Sequence, residues 1–230
     1  MRAARSWLVG SVVGAMLLAG CAAEPDGPTS GSTDPQTTEP APAAQSYGEA
    51  EMKAAALSLD DPSLAGFHPF TFPEPDPNDP PETGQCAVKW SQRFEDNGET
   101  ATFDTDQVTF AENDNVGPFV FQQQTIQPGA GAADVVAAAR ASYLGDCAKW
   151  TSAKAFTFEA SEQKDVGTWG DESFGYRVMI SDGEVDIEVM GIYMSKANLL
   201  SHVEYAASPS ISATAARNIL IAAGRLLPGA

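Results

Sequence analysis

The chain has 230 residues, of which 31 are acidic and 13 basic, and its formal net charge is −18. Such a surface repels the phosphates of nucleic acids and anionic lipid head groups, so we expect no nucleic-acid partner. The excess of acid would attract cations, although a solvated surface without a specific partner explains it more simply.

The N-terminus has the pattern of an export signal. Arg2 and Arg5 precede an apolar stretch at residues 7–19, which is too short for a comfortable membrane span. Two small residues then lead into Cys21, as in the bacterial lipobox, where the cysteine sulfur receives a diacylglyceryl group and the chain is cut just before it. We predict a signal peptide at residues 1–20 and a lipidated Cys21 on the extracytoplasmic face of the cell membrane. An ordinary secretion signal followed by a chance cysteine is the alternative.

Residues 21–45 are predicted to form a disordered tether. They are rich in proline, threonine and alanine and contain no large apolar side chain, so they cannot build a core. The remaining residues, 46–230, are long enough for one domain with a sizeable core.

Two cysteines remain once Cys21 is assigned to the lipid. Cys86 and Cys147 would lie in a compartment that permits disulfides, and only one intramolecular pair can then form. Closing this loop would stabilise the fold by about 4 kcal/mol in the chain-entropy description. Two unpaired buried thiols are the alternative.

The first half of the domain shows two helices with strands between them. Ser46 and Glu49 form a capping box ahead of good helix formers, which predicts a first helix. The proline-rich residues 67–85 indicate a long surface loop. Alternating apolar residues and an alanine-rich stretch complete this half, and they predict a bent strand or hairpin at 99–111, a strand at 119–127 and a helix at 132–144.

The second half is more regular. After a short strand around Phe156 and Phe158, apolar and polar residues alternate on both sides of Asp182-Gly183, a pair typical of hairpin turns. A last strand follows, and Ser212 caps a closing amphipathic helix. The residues predicted to face the core are Phe174, Tyr176, Val178, Ile180, Val185, Ile187, Val189, Gly191, Tyr193, Leu199, Val203, Tyr205, Ala216, Ile219, Leu220, Ala223 and Leu227.

This order predicts an α+β fold, a single domain in which an antiparallel sheet has one face covered by helices. Within it, residues 169–177 (Trp-Gly-Asp-Glu-Ser-Phe-Gly-Tyr-Arg) and 197–203 (Ala-Asn-Leu-Leu-Ser-His-Val) are followed by the closing helix. This pattern resembles the C-terminal half of actinobacterial sensor-type domains, namely the extracellular domains of PknH-like receptor kinases and related free-standing lipoproteins. The resemblance spans roughly residues 50–227 and is recognisable mainly from residue 146 onward.

The resemblance implies a disulfide-stabilised α+β domain with a cleft for an unidentified ligand and without enzymatic activity. The chain departs from the family in two respects. The kinase domains carry two disulfides, whereas this mature chain can form one, and Ala197 stands where a glycine is common. Any signalling would need a separate partner, since no kinase catalytic segment is present.

No residue pattern for catalysis or metal binding stands out. A Gly-x-Ser-x-Gly elbow is absent, the two cysteines lack Cys-x-x-Cys spacing, and the two histidines, His68 and His202, are predicted to be surface or loop residues. We therefore predict no enzyme, cofactor or metal site. Four acids offer oxygen ligands to calcium but lack the pattern of an EF-hand, and a solvated edge is preferred for Asp104, Asp106, Glu112 and Asp114.

Two further features have more than one interpretation. Segment 169–172 forms either a functional lip, with its acids just before a core strand, or, as we favour, a tight turn. In this turn Gly170 permits the backbone conformation and Asp171 accepts hydrogen bonds from nearby backbone amides. Trp90, Trp150 and Trp169 lie outside the strongest periodic patterns, which makes them candidates for a ligand cleft.

The leading hypothesis is a lipid-anchored, non-catalytic binding or sensor-like domain. Its predicted partners are the membrane, through the N-terminal lipid, and an unknown small ligand, lipid or wall fragment. The alternative is an interaction protein that docks on an envelope protein through an exposed sheet face. A hydrophobic concave site would favour the first hypothesis, and a flat apolar patch the second.

Overall fold

The computed structural model describes residues 45–72, 84–87, 105–114, 117–127 and 131–229. The predicted signal peptide, Cys21 and nearly all of the tether lie outside these residues. Three α-helices, a short 3₁₀ helix (Pro62–Leu64), helical residues at 85–87 and eight strands occur in the described part. The helices are α1 (Glu49–Ala54), α2 (Gly131–Leu144) and α3 (Ala213–Arg225); the strands are β1 (His68–Pro69), β2 (Thr105–Ala111), β3 (Phe119–Ile126), β4 (Lys149–Thr151), β5 (Thr157–Gln163), β6 (Glu172–Ser181), β7 (Asp186–Lys196) and β8 (Leu199–Ala207).

The strands form one antiparallel sheet in the order β1-β2-β3-β8-β7-β6-β5-β4. The predicted hairpin of β6 and β7 lies near its centre, and in it Phe174 lies opposite Tyr193. The turn forms because Asp182 Oδ1 accepts hydrogen bonds from the backbone nitrogens of Glu184 (2.9 Å) and Val185 (2.8 Å), an Asx-type arrangement. The α+β class and the antiparallel sheet are confirmed.

The helices cover both faces of the sheet, whereas the sequence predicted one covered face. On one face α3 packs on Met190 and Ile192 of β7, together with α1. On the other face α2 packs on Val189 and Tyr193 of the same strand. From residue 189 to 194 both phases of β7 are buried, and a strand covered on both sides is expected to be apolar on both sides. The domain therefore has helices on both sides of the sheet, and its fold class remains α+β.

The N-cap residue is the predicted one at α3 and lies two residues further along the chain at α1. Ser212 is the N-cap of α3, and its Oγ accepts a hydrogen bond from the Ala215 nitrogen. At α1 the N-cap is Gly48 instead of Ser46, and the Gly48 nitrogen donates to Glu51 Oε2 at 3.0 Å. The residues predicted to form the buried stripe of α3 are buried beneath the helix.

Cys86 and Cys147 form a disulfide, as predicted. Cys147 follows the end of α2 and is 1% exposed, in the same core as Val136 and Tyr143 of that helix. The bond therefore joins the segment around Cys86 to the helix that covers the centre of the sheet.

Candidate functional site

Two of the predicted cleft tryptophans lie on opposite faces of the sheet. Trp150 stacks on Phe158 with a ring distance of 4.2 Å, at the margin of the core beneath α2. Trp169 packs in the core beneath α3, so near Gly224 that a Cβ on that glycine would stand 2.4 Å from the indole. Trp90 lies outside the described residues. Trp150 and Trp169 do not line one common cleft.

The segment before β6 forms a tight turn against β7. Gly170 has φ +67°, and a Cβ on it would stand 2.1 Å from the carbonyl oxygen of Ser195. The Asp171 carboxylate accepts hydrogen bonds from the Ala197 nitrogen (2.7 Å) and from Lys196 Nζ (2.8 Å). The bond from the Ala197 backbone, followed by the one from Lys196, lowers the pKa of Asp171. This geometry favours the structural interpretation of the segment.

The two histidines have different environments. His68 is exposed, and its Nε2 lies 2.6 Å from Asp114 Oδ1. His202 is 1% exposed, so its prediction as a surface residue is wrong. It belongs to the phase of β8 that faces α2, next to Leu200, and this face of the strand is covered.

The calcium hypothesis has no support in the described part of the chain. Asp104 and the side chain of Asp106 lie outside the described residues, and Glu112 and Asp114 are exposed. Among the residues that the structure describes, no group of three or more His, Cys, Asp or Glu side chains could hold a metal ion.

His202 ends an aromatic row that crosses three neighbouring strands. Phe174 of β6, Tyr193 of β7 and His202 of β8 are register partners. The Phe174 and Tyr193 rings stack at 5.4 Å, and the Tyr193 and His202 rings stack at 4.1 Å. Tyr143 of α2 lies above this row and stacks on Tyr176 at 4.2 Å. Cross-strand aromatic pairs of this kind stabilise a sheet and hold each ring in one orientation.

A buried polar cluster lies beside the aromatic row. Tyr176 of β6 is fully buried, and its hydroxyl lies 2.6 Å from His202 Nε2 and 2.5 Å from Glu204 Oε1. The phenol reaches β8 because Gly191 of β7 lies between them: a Cβ on that glycine would stand 2.4 Å from Tyr176 Oη. We refer to Tyr176, His202 and Glu204 as the Tyr-His-Glu cluster.

The Tyr176 hydroxyl has one proton and donates it to Glu204 Oε1. The phenol oxygen also lies 2.6 Å from His202 Nε2, where the donor is set by the tautomer of the imidazole. His202 Nε2 lies 3.3 Å from Glu204 Oε1 as well, so the three polar groups form one connected network.

Glu204 is the member of the cluster that reaches solvent. Its side chain is 23% exposed, whereas that of His202 is 1% exposed. Phe121 of β3 is its register partner on the other side, and the Phe121 ring lies edge to face with His202 at 6.1 Å. The surface at this point thus combines one oriented carboxylate with aromatic rings, which is a chemistry suited to ligand recognition.

A groove also lies on the opposite face, between β5 and β6. Its lining mixes polar and apolar side chains, and its arginine is engaged, because Arg177 Nε lies 2.5 Å from Glu188 Oε1. This groove offers little that would orient a ligand, and the Tyr-His-Glu cluster is the stronger candidate.

Comparison with known proteins identifies the fold. No family model matches the chain, and no curated protein matches it. Among solved structures it is similar to the extracellular domain of PknH from Mycobacterium tuberculosis, with a TM-score of 0.56 and 14% sequence identity, over 80% of this chain and 98% of that one. The fold is that of the PknH extracellular domain. The predicted resemblance is confirmed at the level of the fold.

The solved relative is described as an extracellular domain, and no helix in the described part of this chain is long and apolar enough to cross a membrane. Nearly the whole of the PknH domain corresponds to this chain, so the similarity covers the complete α+β unit instead of one motif.

The sequence analysis missed the Tyr-His-Glu cluster, although one signal for it was present. Gly191 interrupts a run of large apolar residues in the middle of a strand, and a glycine at such a place often marks the close approach of another group. Tyr176 was correctly assigned to the core, but its partners on β8 could not be identified without the order of the strands.

Proposed function

We propose that the chain is a membrane-anchored extracytoplasmic lipoprotein whose domain binds a ligand at the Tyr-His-Glu cluster and acts as a non-catalytic, sensor-like module. The observation that carries the proposal is the oriented carboxylate of Glu204, held by a buried tyrosine and bordered by aromatic rings. The fold shared with the extracellular domain of PknH supports the extracytoplasmic and sensor-like parts of the proposal.

The cluster is built for recognition. Burying the hydroxyl of Tyr176 and the imidazole of His202 costs free energy that is recovered only through their hydrogen bonds, and those bonds converge on Glu204. Rigid aromatic side chains around a few oriented polar groups are typical of binding sites.

The anchoring part of the proposal rests on Cys21. A tether at residues 21–45 would hold the domain about 30 Å from the membrane if it behaves as a flexible coil. With Cys21→Ala we expect the protein to leave the detergent phase and the membrane fraction, because the lipid attachment site is lost. Detergent-phase partitioning of the tethered and variant chains measures this, with Cys86→Ala as a cysteine control that should remain in the detergent phase. Unchanged partitioning of Cys21→Ala would contradict lipid anchoring.

The binding part is tested by native mass spectrometry with lipid extraction. We expect residues 21–230, carrying Cys21→Ser and expressed in an actinobacterial host, to retain a reproducible small molecule or lipid. The variant Tyr176→Phe removes the hydroxyl that orients Glu204 and should reduce the adduct, while Tyr47→Phe is a matched control in the other core. A clean apo mass for the parent chain would contradict ligand binding and favour docking on an envelope protein.

A further inference from the structure

We propose that the N-terminal segment 46–57, which contains α1, is a detachable strap that opens from the sheet as one unit while the rest of the fold stays intact. We refer to residues 46–57 as the strap. It lies on the face of the sheet opposite the Tyr-His-Glu cluster, and the proposal does not depend on ligand binding at that cluster.

Two amide side chains hold the strap at its two ends. At its start, Asn198 Oδ1 accepts a hydrogen bond from the Tyr47 nitrogen at 2.7 Å, and Asn198 Nδ2 donates to the Tyr47 oxygen at 3.0 Å. At its end, Gln122 Oε1 accepts a hydrogen bond from the Leu57 nitrogen at 2.6 Å, and Gln122 Nε2 donates to the Ala55 oxygen at 3.2 Å. Four directional hydrogen bonds therefore attach the strap at these two points.

Between the two attachment points the sheet is polar. Gln124 follows Gln122 on the same face of β3 and lies opposite Ser201 of β8. Gln124 is 1% exposed, and among the described residues neither atom of its amide has a hydrogen-bond partner. The buried hydroxyl of Ser201 lies 3.3 Å from Gln122 Nε2. Water is able to bond to such groups when the strap leaves, so exposing them costs less free energy than exposing an equal apolar area.

The strap itself adds little that would hold it closed. Helix α1 has six residues, which is shorter than the length at which an isolated helix is stable in water. The fully buried apolar side chains of the strap are those of Met52, Ala55 and Leu57, and Tyr47 is partly buried. Opening therefore removes only a small apolar area from the core.

The chain on either side of the strap is arranged so that the strap is able to move alone. Residues 58–60 are exposed and form a turn that is closed by a 3.0 Å bond from the Asp61 nitrogen to the Ser58 oxygen. Beyond this turn, Leu64 is buried in the core beneath α3 and keeps the chain attached.

The other end of the strap continues into the proposed tether, so a pull on the tether would act on the strap first. Opening would add residues 46–57 to residues 21–45 of the tether and lengthen its reach as a flexible coil by about one fifth. The strap would thereby change the distance between the domain and its anchor without unfolding the sheet.

Native-state hydrogen exchange tests the strap in the mature chain, residues 21–230 carrying Cys21→Ser, followed by NMR. The backbone amides of Tyr47 and Leu57 each donate to a side chain of the sheet and report its two ends. We expect both to exchange through one opening, about a hundredfold or more faster than the amides of the central strand β7. Protection equal to that of β7 would overturn the proposal.

The variant Gln122→Met removes the attachment at the end of the strap with little change in side-chain volume. Tyr47 is the informative reporter, because its own acceptor on Asn198 is intact. We expect its amide to exchange about tenfold or more faster, since the hydrogen bonds to Ala55 and Leu57 are lost. An unchanged rate at Tyr47 would mean that the two ends open separately, which rules out a single strap.

The variant Gln124→Met should act in the opposite direction. It replaces an unpaired buried amide by an apolar group of similar size, so opening would expose apolar surface, and we expect Tyr47 and Leu57 to exchange about tenfold more slowly. Gln163→Met makes the same change on β5 and should leave both rates unchanged. Equal or faster exchange in Gln124→Met would show that this amide supports the closed strap, contrary to the proposal. This variant retains all four attaching bonds, so it decides the question even if Gln122→Met does not fold.

Discussion

Replacing both Cys86 and Cys147 by alanine is expected to lower the free energy of unfolding by about 4 kcal/mol. The bond joins residues 61 apart in sequence, and its removal returns the conformational freedom of that loop to the unfolded chain. The loss is a large part of the net stability of a domain of this size. Alanine is chosen because Cys147 is buried beneath α2, where a serine hydroxyl would add the cost of an unpaired polar group.

Urea unfolding followed by tryptophan fluorescence measures this change. The parent chain should be destabilised by a thiol reductant to about the same extent as by the double substitution, while the reductant should leave the double variant unchanged. The predicted role of the bond would be contradicted if the unfolding midpoint of the parent chain did not respond to reductant. It would also be contradicted if a non-reducing peptide map showed two free thiols.

The parts of the fold that were predictable from sequence are those specified by local chemistry. The β6–β7 hairpin follows from strict alternation around Asp182-Gly183, and the closing helix follows from the Ser212 cap and its buried stripe. In both cases the residues that determine the element are neighbours in the chain. Sequence patterns report such neighbours directly.

The covering of both faces of the sheet by helices could not be predicted from such local patterns. Alternation along β7 assigned Val189 and Tyr193 to the core, and this assignment is confirmed. The same alternation predicts that Met190 and Ile192 lie on the outer face, whereas these residues are equally apolar and are buried beneath α3. When helices cover both faces of a sheet, its central strands are buried on both sides, so alternation alone cannot identify one outer face.

The candidate site depends on contacts between residues far apart in the chain. Trp169 is packed by Gly224, and His202 is stacked on Tyr193 and bonded to Tyr176. The first contact follows from the packing of α3 on the sheet, and the other two follow from the neighbouring positions of β6, β7 and β8. Local patterns alone favour the tryptophans, because these lie outside the periodic stretches, and place His202 on the surface.

Gly191→Ala is expected to disrupt the Tyr-His-Glu cluster and to lower the free energy of unfolding by about 1–3 kcal/mol. The new Cβ would stand 2.4 Å from both Cζ and Oη of Tyr176, and this ring is held on its other face by Tyr143. The ring has to move, and its hydrogen bonds to His202 and Glu204 are lost or lengthened. Gly131→Ala is the control, because a Cβ there would meet no atom nearer than 4.0 Å.

A double-mutant cycle assigns this cost to the contact between Gly191 and Tyr176. In a Tyr176→Ala background the ring that the new methyl group would strike is absent, so Gly191→Ala should be neutral or slightly stabilising, because alanine restricts the unfolded chain more than glycine does. The four proteins are compared by urea unfolding. An equal loss in both backgrounds would mean that the glycine is required for the backbone of β7 itself. A loss confined to the tyrosine background would mean that Gly191 is needed to let a buried phenol cross the sheet and orient Glu204.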